Sequence, residues 1–352
     1  MKPLLPLLTG ALLALPLLSL PCAAAALAAP ACAAPGARVN EDGFVRINGI
    51  EQWVSMRGDS CANPVILIVH GGPGNPQSLY VDGPDAAWRK DFTVVHWDQR
   101  GAGMTYGRNK PGEDDKLTVE VLRDDALAVA RHVRERLGKR QLILMGGSWG
   151  SALAVHMAKA DPAQFCAYLG TAQLVAHREN TDGHAKLIAL ARAAGDTETV
   201  AKIEALGPPP WTNPRSFGVE RRAMRKYEAM RTDPMPKAWM APGAPYATPQ
   251  ALADYEAGED YSFIQFVGMQ DDGMASTIDL YKLGTSFKLP VYLVQGTEDL
   301  LTTPAVTQRY YDAITAPVKK LVLVPRAGHD PNPPMVEAQT TLLREEIRPR
   351  CL

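Results

Sequence analysis

The chain has 352 residues, of which 46% are hydrophobic and 21% are charged, and its formal net charge at pH 7 is -1. A chain of this length can bury a large core, and one α/β domain that carries an insertion is a reasonable expectation. The near-neutral charge provides no basic field for nucleic acid or for an anionic membrane surface, so we expect no polyanionic partner.

The N-terminal segment has the pattern of a signal peptide. A basic start is followed by an apolar run at 11–20 and a small-residue stretch at 23–34. Prolines interrupt the apolar residues, whereas a membrane-spanning helix needs about 20 unbroken ones. Cleavage after Ala26 and cleavage after Ala34 both fit this pattern. We therefore expect a periplasmic or secreted protein with no stable membrane insertion after cleavage.

The chain has five cysteines, and their positions determine which disulfides the mature protein could form. If the leader contains Cys22 and Cys32, the mature protein keeps Cys61, Cys166 and Cys351, an odd number that allows at most one internal disulfide. Pairing requires Cα atoms within about 7 Å, which the sequence does not show, so we expect buried or terminal thiols without a catalytic role. Cys-x-x-Cys and His-Glu-x-x-His spacings are absent from the sequence, and we expect neither a metal nor a cofactor.

The first elements after the leader alternate between strand and helix. Two strand-like segments, 44–47 and 52–56, flank Asn48-Gly49, a dipeptide typical of tight hairpin turns. Apolar residues recur at helical spacing over 117–137. Three continuous apolar runs predict buried parallel strands: 65–69, 92–97 and 142–145. The alternation predicts an α/β fold with a mostly parallel, doubly wound sheet.

This alternation stops in the second half of the chain and later resumes. The intervening segment is charged, rich in methionine and helix-like, and it is too long for a loop. Strand patterns return at 290–294 and 320–324, and a closing helix is predicted at 335–347. We therefore divide the chain into a signal peptide at 1–34, a first core part at 35–171, an inserted helical cap at 172–288 and a second core part at 289–352.

A candidate nucleophile lies at the end of the predicted strand 142–145. The chain has one Gly-x-Ser-x-Gly sequence, Gly146-Gly-Ser148-Trp-Gly150, and a helix is predicted directly after it at 151–160. A serine on a sharp strand-to-helix turn needs small neighbours because strand and helix approach closely there. The context therefore predicts that Ser148 is a nucleophile.

A serine hydroxyl needs a histidine as base and an acid that orients the histidine, and α/β-hydrolases supply them in the order serine, acid, histidine. Of the seven histidines, only His329 follows the last predicted strand. The acid should leave the preceding strand, where Glu298 and Asp299 lie. We prefer Asp299 because the Gly-x-x-Asp turn can bring its carboxylate back under the imidazole.

Backbone N–H groups must stabilise the oxyanion that forms in acyl transfer. The glycine-rich segment His70-Gly-Gly-Pro-Gly74 follows the first buried strand and is suited to this role. We expect the N–H groups of Gly72 and Trp149 to form the oxyanion hole.

Three segments together resemble the proline iminopeptidase (prolyl aminopeptidase) branch of the α/β-hydrolases: His70 to Gly74, Asp98-Gln-Arg-Gly-Ala-Gly103 and Gly146-Gly-Ser-Trp-Gly-Ser151. The resemblance covers about 43–169 and 289–347. It implies an α/β-hydrolase fold, the same three catalytic residues and the release of an N-terminal residue, usually proline, from small peptides. It also implies that Asp98 and Arg100 brace the oxyanion loop through an ion pair.

An aminopeptidase must bind a free ammonium group, and carboxylates of the cap are the physical requirement. The candidates are Glu179, Asp182, Asp271 and Asp272. The alternative function is that of an esterase or lactonase that acts on small acyl substrates with the same triad, because the triad fixes the chemistry while the cap fixes the substrate. The sequence leaves the oligomeric state open.

Overall fold

The computed structural model describes residues 32, 34, 36–112 and 114–352, so the predicted signal peptide lies almost entirely outside the described residues. One eight-stranded sheet organises the protein, with strand order β1-β2-β4-β3-β5-β6-β7-β8. β1 and β2 are antiparallel to their neighbours, and all later pairs are parallel. The strands are β1 (Val39–Ile47), β2 (Ile50–Gly58), β3 (Val65–Val69), β4 (Thr93–Trp97), β5 (Leu142–Gly147), β6 (Phe165–Thr171), β7 (Val291–Gly296) and β8 (Lys319–Val324). The predicted mostly parallel α/β sheet is confirmed.

The local sequence explains both ends of the sheet. Asn48 and Gly49 have φ angles of 44° and 89° and form the turn between β1 and β2, as a tight hairpin requires. All five residues of β3 are buried, because helices cover both faces of the central strands.

Nine α-helices complete the described part of the chain. They are α1 (Gly103–Arg108), α2 (Val119–Leu137), α3 (Trp149–Ala160), α4 (Thr181–Ala193), α5 (Thr197–Leu206), α6 (Pro214–Ala229), α7 (Pro249–Val267), α8 (Pro304–Ala313) and α9 (Pro333–Thr341), the last continued by a π-helical segment, Leu342–Ile347. Within the described residues, no helix combines the length and the apolar character that a membrane crossing needs.

The chain between β6 and β7 forms a cap of four helices, α4 to α7. Leu187, Met224 and Tyr227 belong to a separate hydrophobic cluster formed by α4, α5 and α6, and Leu300 of the core also packs into it. α7 packs against α1 instead, at the other side of the cap. The cap therefore touches the core through two different elements.

Two disulfides correct the expectation of unpaired thiols. Cys32 is bonded to Cys61, with Cα atoms 5.5 Å apart, and Cys166 is bonded to Cys351 at the same Cα separation. The expectation failed because Cys32 was assigned to the leader, which left an odd number of cysteines. A leader cleaved after Ala34 would remove one half of the first disulfide.

Candidate active site

Ser148 occupies a strained turn between β5 and α3. Its φ angle of 52° lies in the left-handed region, which a non-glycine residue adopts only when its surroundings force it to. A Cβ atom at Gly150 would collide with the carbonyl oxygens of Val69 and His70, and one at Gly146 would collide with the Gly150 carbonyl. The two glycines therefore allow the close approach of strand and helix that holds the hydroxyl out of the sheet edge.

The structure brings Ser148, His329 and Asp299 together. His329 Nε2 lies 2.9 Å from Ser148 Oγ, and His329 Nδ1 lies 3.1 Å from one Asp299 oxygen and 3.2 Å from the other. Since an ionised carboxylate only accepts hydrogen bonds, Nδ1 carries the proton and Nε2 accepts from the serine hydroxyl. The Asp299 carboxylate also accepts from the Thr302 backbone N–H at 2.8 Å and from the Gln295 amide at 3.0 Å. Three segments distant in the sequence thus align as a base, a nucleophile and an orienting acid.

The protonation states follow from this geometry. Burial disfavours the charged imidazolium, but the adjacent Asp299 carboxylate outweighs burial, so the pKa of His329 is raised above 6.5. Burial alone would raise the pKa of Asp299, but the His329 charge and the hydrogen bonds to Thr302 hold this pKa below its usual value. Asp299 therefore stays ionised, and His329 can accept and return a proton close to neutral pH.

The glycine-rich loop after β3 lies directly against the elbow. A Cβ at Gly71 would lie 3.3 Å from the Ser148 Cβ, so the loop backbone is close to the hydroxyl. Trp149 is the first residue of α3, and its N–H therefore has no acceptor within the helix. Gly72, at a φ angle of 106°, donates no backbone hydrogen bond to another described residue. Both residues line the cavity that contains Ser148.

The implied ion pair between Asp98 and Arg100 is absent from the described residues, which corrects that expectation. Arg100 pairs with Asp125 at 2.8 Å. Gln99 braces the loop instead. Its backbone N–H donates to His70 Nε2 at 3.1 Å, its side-chain amide donates to the His70 carbonyl at 2.9 Å, and its amide oxygen accepts from the Trp149 indole at 3.0 Å.

Asp98 points to the cap. Its carboxylate accepts from the hydroxyls of Ser78 and Tyr246 and from the Met104 backbone N–H. Because Asp98 is fully buried, its pKa is raised to about 6 despite these hydrogen bonds. Tyr246 belongs to the cap segment between α6 and α7, so this cluster fixes the cap to the core near the oxyanion loop.

Glu228 is a second link between cap and core, and it was not among the predicted site residues. It lies at the end of α6, and it is 6% exposed. One carboxylate oxygen accepts from the Leu300 N–H at 2.8 Å and the other from the His329 N–H at 3.1 Å. Burial and the negative charge of Asp299 raise the pKa of Glu228. A single side chain of the cap thus holds both loops that carry the acid and the base.

A cavity of about 600 Å³ opens above Ser148, between the sheet edge and the cap. Its wall includes Gly72, Trp149 and His329 from the core. Aromatic residues of the cap supply much of its apolar surface: Trp211, Phe217, Trp239, Phe263 and Phe266. This volume suits a small substrate that is largely enclosed.

The four predicted cap carboxylates do not meet in the cavity. Asp271 lines it and pairs with His177 at 2.7 Å. The other three are not part of the cavity wall. Glu179 is 4.0 Å from Arg309, and Asp272 accepts a hydrogen bond from the Gln270 N–H. Asp182 accepts a hydrogen bond from the Thr303 hydroxyl and lies 3.1 Å from Lys186.

Five other carboxylates line the cavity and were not predicted: Asp85, Glu220, Glu259, Asp260 and Asp330. Asp85 pairs with His96 at 2.7 Å, and Asp330 pairs with two arginines of α6. Glu220 pairs with His184 at 2.6 Å. Glu259 and Asp260 are exposed on α7 and have no ion-pair partner among the described residues. No group of three His, Cys, Asp or Glu side chains arranged to hold a metal ion is found in the described part of the chain.

The sheet order, the serine at a strand-to-helix elbow and the acid and histidine after β7 and β8 define an α/β-hydrolase. The chain belongs to the serine aminopeptidase S33 family, whose pattern matches residues 60–332. The chain is therefore a hydrolase of an aminopeptidase family, and its resemblance to the proline iminopeptidase branch is confirmed.

Individual relatives agree with this family. The chain is 26% identical over 303 residues to a probable aminopeptidase, YbaC, of Bacillus subtilis, covering 81% of this chain and 89% of that protein. It is 27% identical over 301 residues to a probable proline iminopeptidase of Streptomyces coelicolor, covering 77% and 85% of the two chains. The crystal structure of proline iminopeptidase from Mycobacterium smegmatis matches with a TM-score of 0.61 at 20% identity, covering 88% of this chain and 95% of that one. At this identity the last match shows a shared fold.

Proposed function

We propose that this protein is a serine aminopeptidase that releases the N-terminal residue, proline above all, from small peptides. The observation that carries the proposal is the alignment of Ser148, His329 and Asp299 at 2.9 and 3.1 Å beneath a cavity of about 600 Å³. The family match and the similarity to a probable aminopeptidase and to a probable proline iminopeptidase support a peptidase function.

The geometry supplies each step of acyl transfer. Ser148 Oγ attacks the carbonyl carbon while its proton passes to His329 Nε2, and the resulting oxyanion accepts from the Gly72 and Trp149 N–H groups. The C–N bond breaks as His329 returns the proton to the leaving nitrogen, which leaves an acyl-enzyme. His329 then takes a proton from water, the hydroxide attacks the ester carbon, and Ser148 regains its proton as the free amino acid departs.

Two unpaired carboxylates support recognition of the substrate ammonium group. Glu259 and Asp260 lie on α7, which packs tightly on the oxyanion loop: a Cβ at Gly74 would lie 2.8 Å from the Glu259 Cα. Both line the cavity. The acyl part of the substrate must lie near this loop because its carbonyl oxygen binds there. An N-terminal residue would therefore place its ammonium group beside these acidic side chains, as charge complementarity requires.

The test compares purified protein on proline p-nitroanilide and p-nitrophenyl acetate, with Ser148→Ala as the control for both. We expect anilide cleavage that the variant loses. Glu259→Gln with Asp260→Asn should raise KM for the anilide more than for the uncharged ester. Strong ester turnover without anilide cleavage would contradict the aminopeptidase proposal and support the esterase or lactonase alternative, which the aromatic cavity wall also suits.

We also propose that the protein is exported to the periplasm or secreted. The two disulfides support an oxidising compartment, where such bonds persist. Because Cys32 is bonded to Cys61, cleavage after Ala26 agrees with the fold better than cleavage after Ala34. N-terminal sequencing of the mature protein tests both points: a retained Met1 would contradict export with cleavage, and a first residue beyond Cys32 would contradict cleavage after Ala26.

A further inference from the structure

Among the arginines of the cap helix α6 that line the cavity, Arg221 and Arg225 share a single ion-pair partner, Asp330. Arg221 and Arg225 are one helical turn apart, so both lie on one face of the helix, and both line the cavity. Their nearest anion is Asp330, 3.8 Å from Arg221 Nη2 and 3.3 Å from Arg225 Nε. Among the described residues, neither guanidinium donates a hydrogen bond in acceptable geometry.

One shared carboxylate leaves most N–H donors of these two groups without an acceptor. Each guanidinium has five N–H donors, and a planar carboxylate can satisfy two of them at once. The Arg221 side chain is only 23% exposed, so little water reaches its free donors, whereas the Arg225 side chain is 58% exposed and keeps its hydration until a ligand binds. Burial accordingly lowers the pKa of Arg221, although the charges of Asp330, Glu228 and Asp299 oppose this shift. An anion bound from the cavity would satisfy both arginines.

The position of the pair relative to the triad determines which part of a substrate it meets. Asp330 follows His329 in the sequence, so both arginines lie beside the base. In the proposed reaction His329 gives its proton to the leaving nitrogen, and the leaving fragment must therefore lie on this side of Ser148. The unpaired carboxylates Glu259 and Asp260 lie on α7, beside the oxyanion loop. The cavity thus has two unpaired carboxylates toward the acyl part and, with two arginines against the single carboxylate of Asp330, an excess of positive charge toward the leaving part.

We propose that Arg221 and Arg225 bind the C-terminal carboxylate of the leaving fragment, so that the preferred substrates are di- and tripeptides with a free carboxylate. This proposal rests on the aminopeptidase function proposed above. In a dipeptide the carboxylate lies within about 4 Å of the leaving nitrogen, and each further residue adds about 3.5 Å. Long peptides would carry their terminal charge past the pair and gain nothing from it.

The experiment compares prolyl-alanine with prolyl-alaninamide, two substrates that differ only in the terminal carboxylate, by measuring proline release at fixed pH and ionic strength. We expect kcat/KM to be about 10-fold or more higher for the free acid, the effect of one hydrogen-bonded charge pair. Arg225→Gln and Arg221→Gln should each lower the ratio of the two values toward one. Arg215→Gln is the matched control, because Arg215 lies at the exposed start of the same helix and does not line the cavity.

A binding measurement removes the dependence on turnover. Ser148→Ala titrated with each peptide by calorimetry should bind prolyl-alanine more tightly, and adding Arg225→Gln should abolish the difference. Equal kcat/KM for the two peptides, or a ratio that both arginine variants leave unchanged, would overturn this proposal while anilide cleavage upheld the aminopeptidase function. If neither peptide nor the anilide is cleaved while esters are, the aminopeptidase proposal fails and this one fails with it.

Discussion

Replacement of Glu228 by Gln tests whether the cap positions the catalytic loops. The carboxylate accepts one N–H with each oxygen, from Leu300 at 2.8 Å and from His329 at 3.1 Å. Gln keeps only one acceptor oxygen, so one N–H would face an NH₂ group. Losing a hydrogen bond to a charged, buried acceptor costs about 1.5–3 kcal/mol, and we expect the free energy of unfolding to fall by about that amount. A shift of about 1 Å in the His329 loop would also lower kcat by roughly 10- to 100-fold.

The assay combines urea unfolding with a pH profile of kcat for Glu228→Gln and for a matched control, Glu298→Gln. Glu298 precedes Asp299 in the sequence but pairs with Arg231 at the surface, so its replacement should cost less than about 1 kcal/mol and leave kcat unchanged. Loss of a negative charge near His329 should also lower the pKa of the base, moving the acidic limb of the Glu228→Gln profile to lower pH. Parental kcat, parental stability and an unmoved profile would together refute a positioning role for Glu228.

Three further predictions concern the triad, the oxyanion loop and the disulfides. Because the pKa of His329 is raised above 6.5 and only the neutral imidazole is a base, kcat/KM should rise with pH through an apparent pKa above 6.5, as a pH-rate profile would show. Asp299→Asn should lower kcat by about 10⁴-fold without unfolding the protein, which kinetics and circular dichroism would show. Gln99→Leu removes the two side-chain hydrogen bonds that Gln99 makes around the oxyanion loop and should lower kcat by at least about 10-fold with little change in KM, as steady-state kinetics would show. Cys351→Ser should lower the free energy of unfolding by about 2–5 kcal/mol in urea titrations, because Cys166 and Cys351 close a long loop; an effect below 1 kcal/mol would contradict this.

Much of the fold could be predicted because its signals are local. The run Val65–Val69 is continuous and apolar, and a strand buried on both faces needs that pattern. The strand-to-helix turn at Ser148 could also be predicted, because the close approach of the backbone there requires glycine at positions 146 and 150. Strand β6 was not predicted as a strand, because its apolar residues follow α3 after a very short connection and periodicity alone does not separate it from a buried helix end.

The cap carboxylates could not be predicted because their roles depend on contacts between distant segments. Glu228 and Glu220 both lie on the strongly charged helix α6, where a solvated face is the usual expectation. Burial gives one of them two backbone donors and the other a histidine partner, and neither contact leaves a sequence signal. The disulfide of Cys32 could not be predicted for a different reason. The small-residue composition that indicates the signal peptide extends past Cys32, although a disulfide to Cys61 holds this residue in the fold.

These contacts make α6 part of the catalytic apparatus. One turn near its end supplies Glu228 to the His329 loop, and the preceding turns direct Arg221 and Arg225 into the cavity. A change in the position of α6 would therefore move the base and the leaving-group wall together. For this reason substitutions that displace α6 should affect both the choice of substrate and the alignment of the triad, because a displaced Glu228 would release the His329 loop.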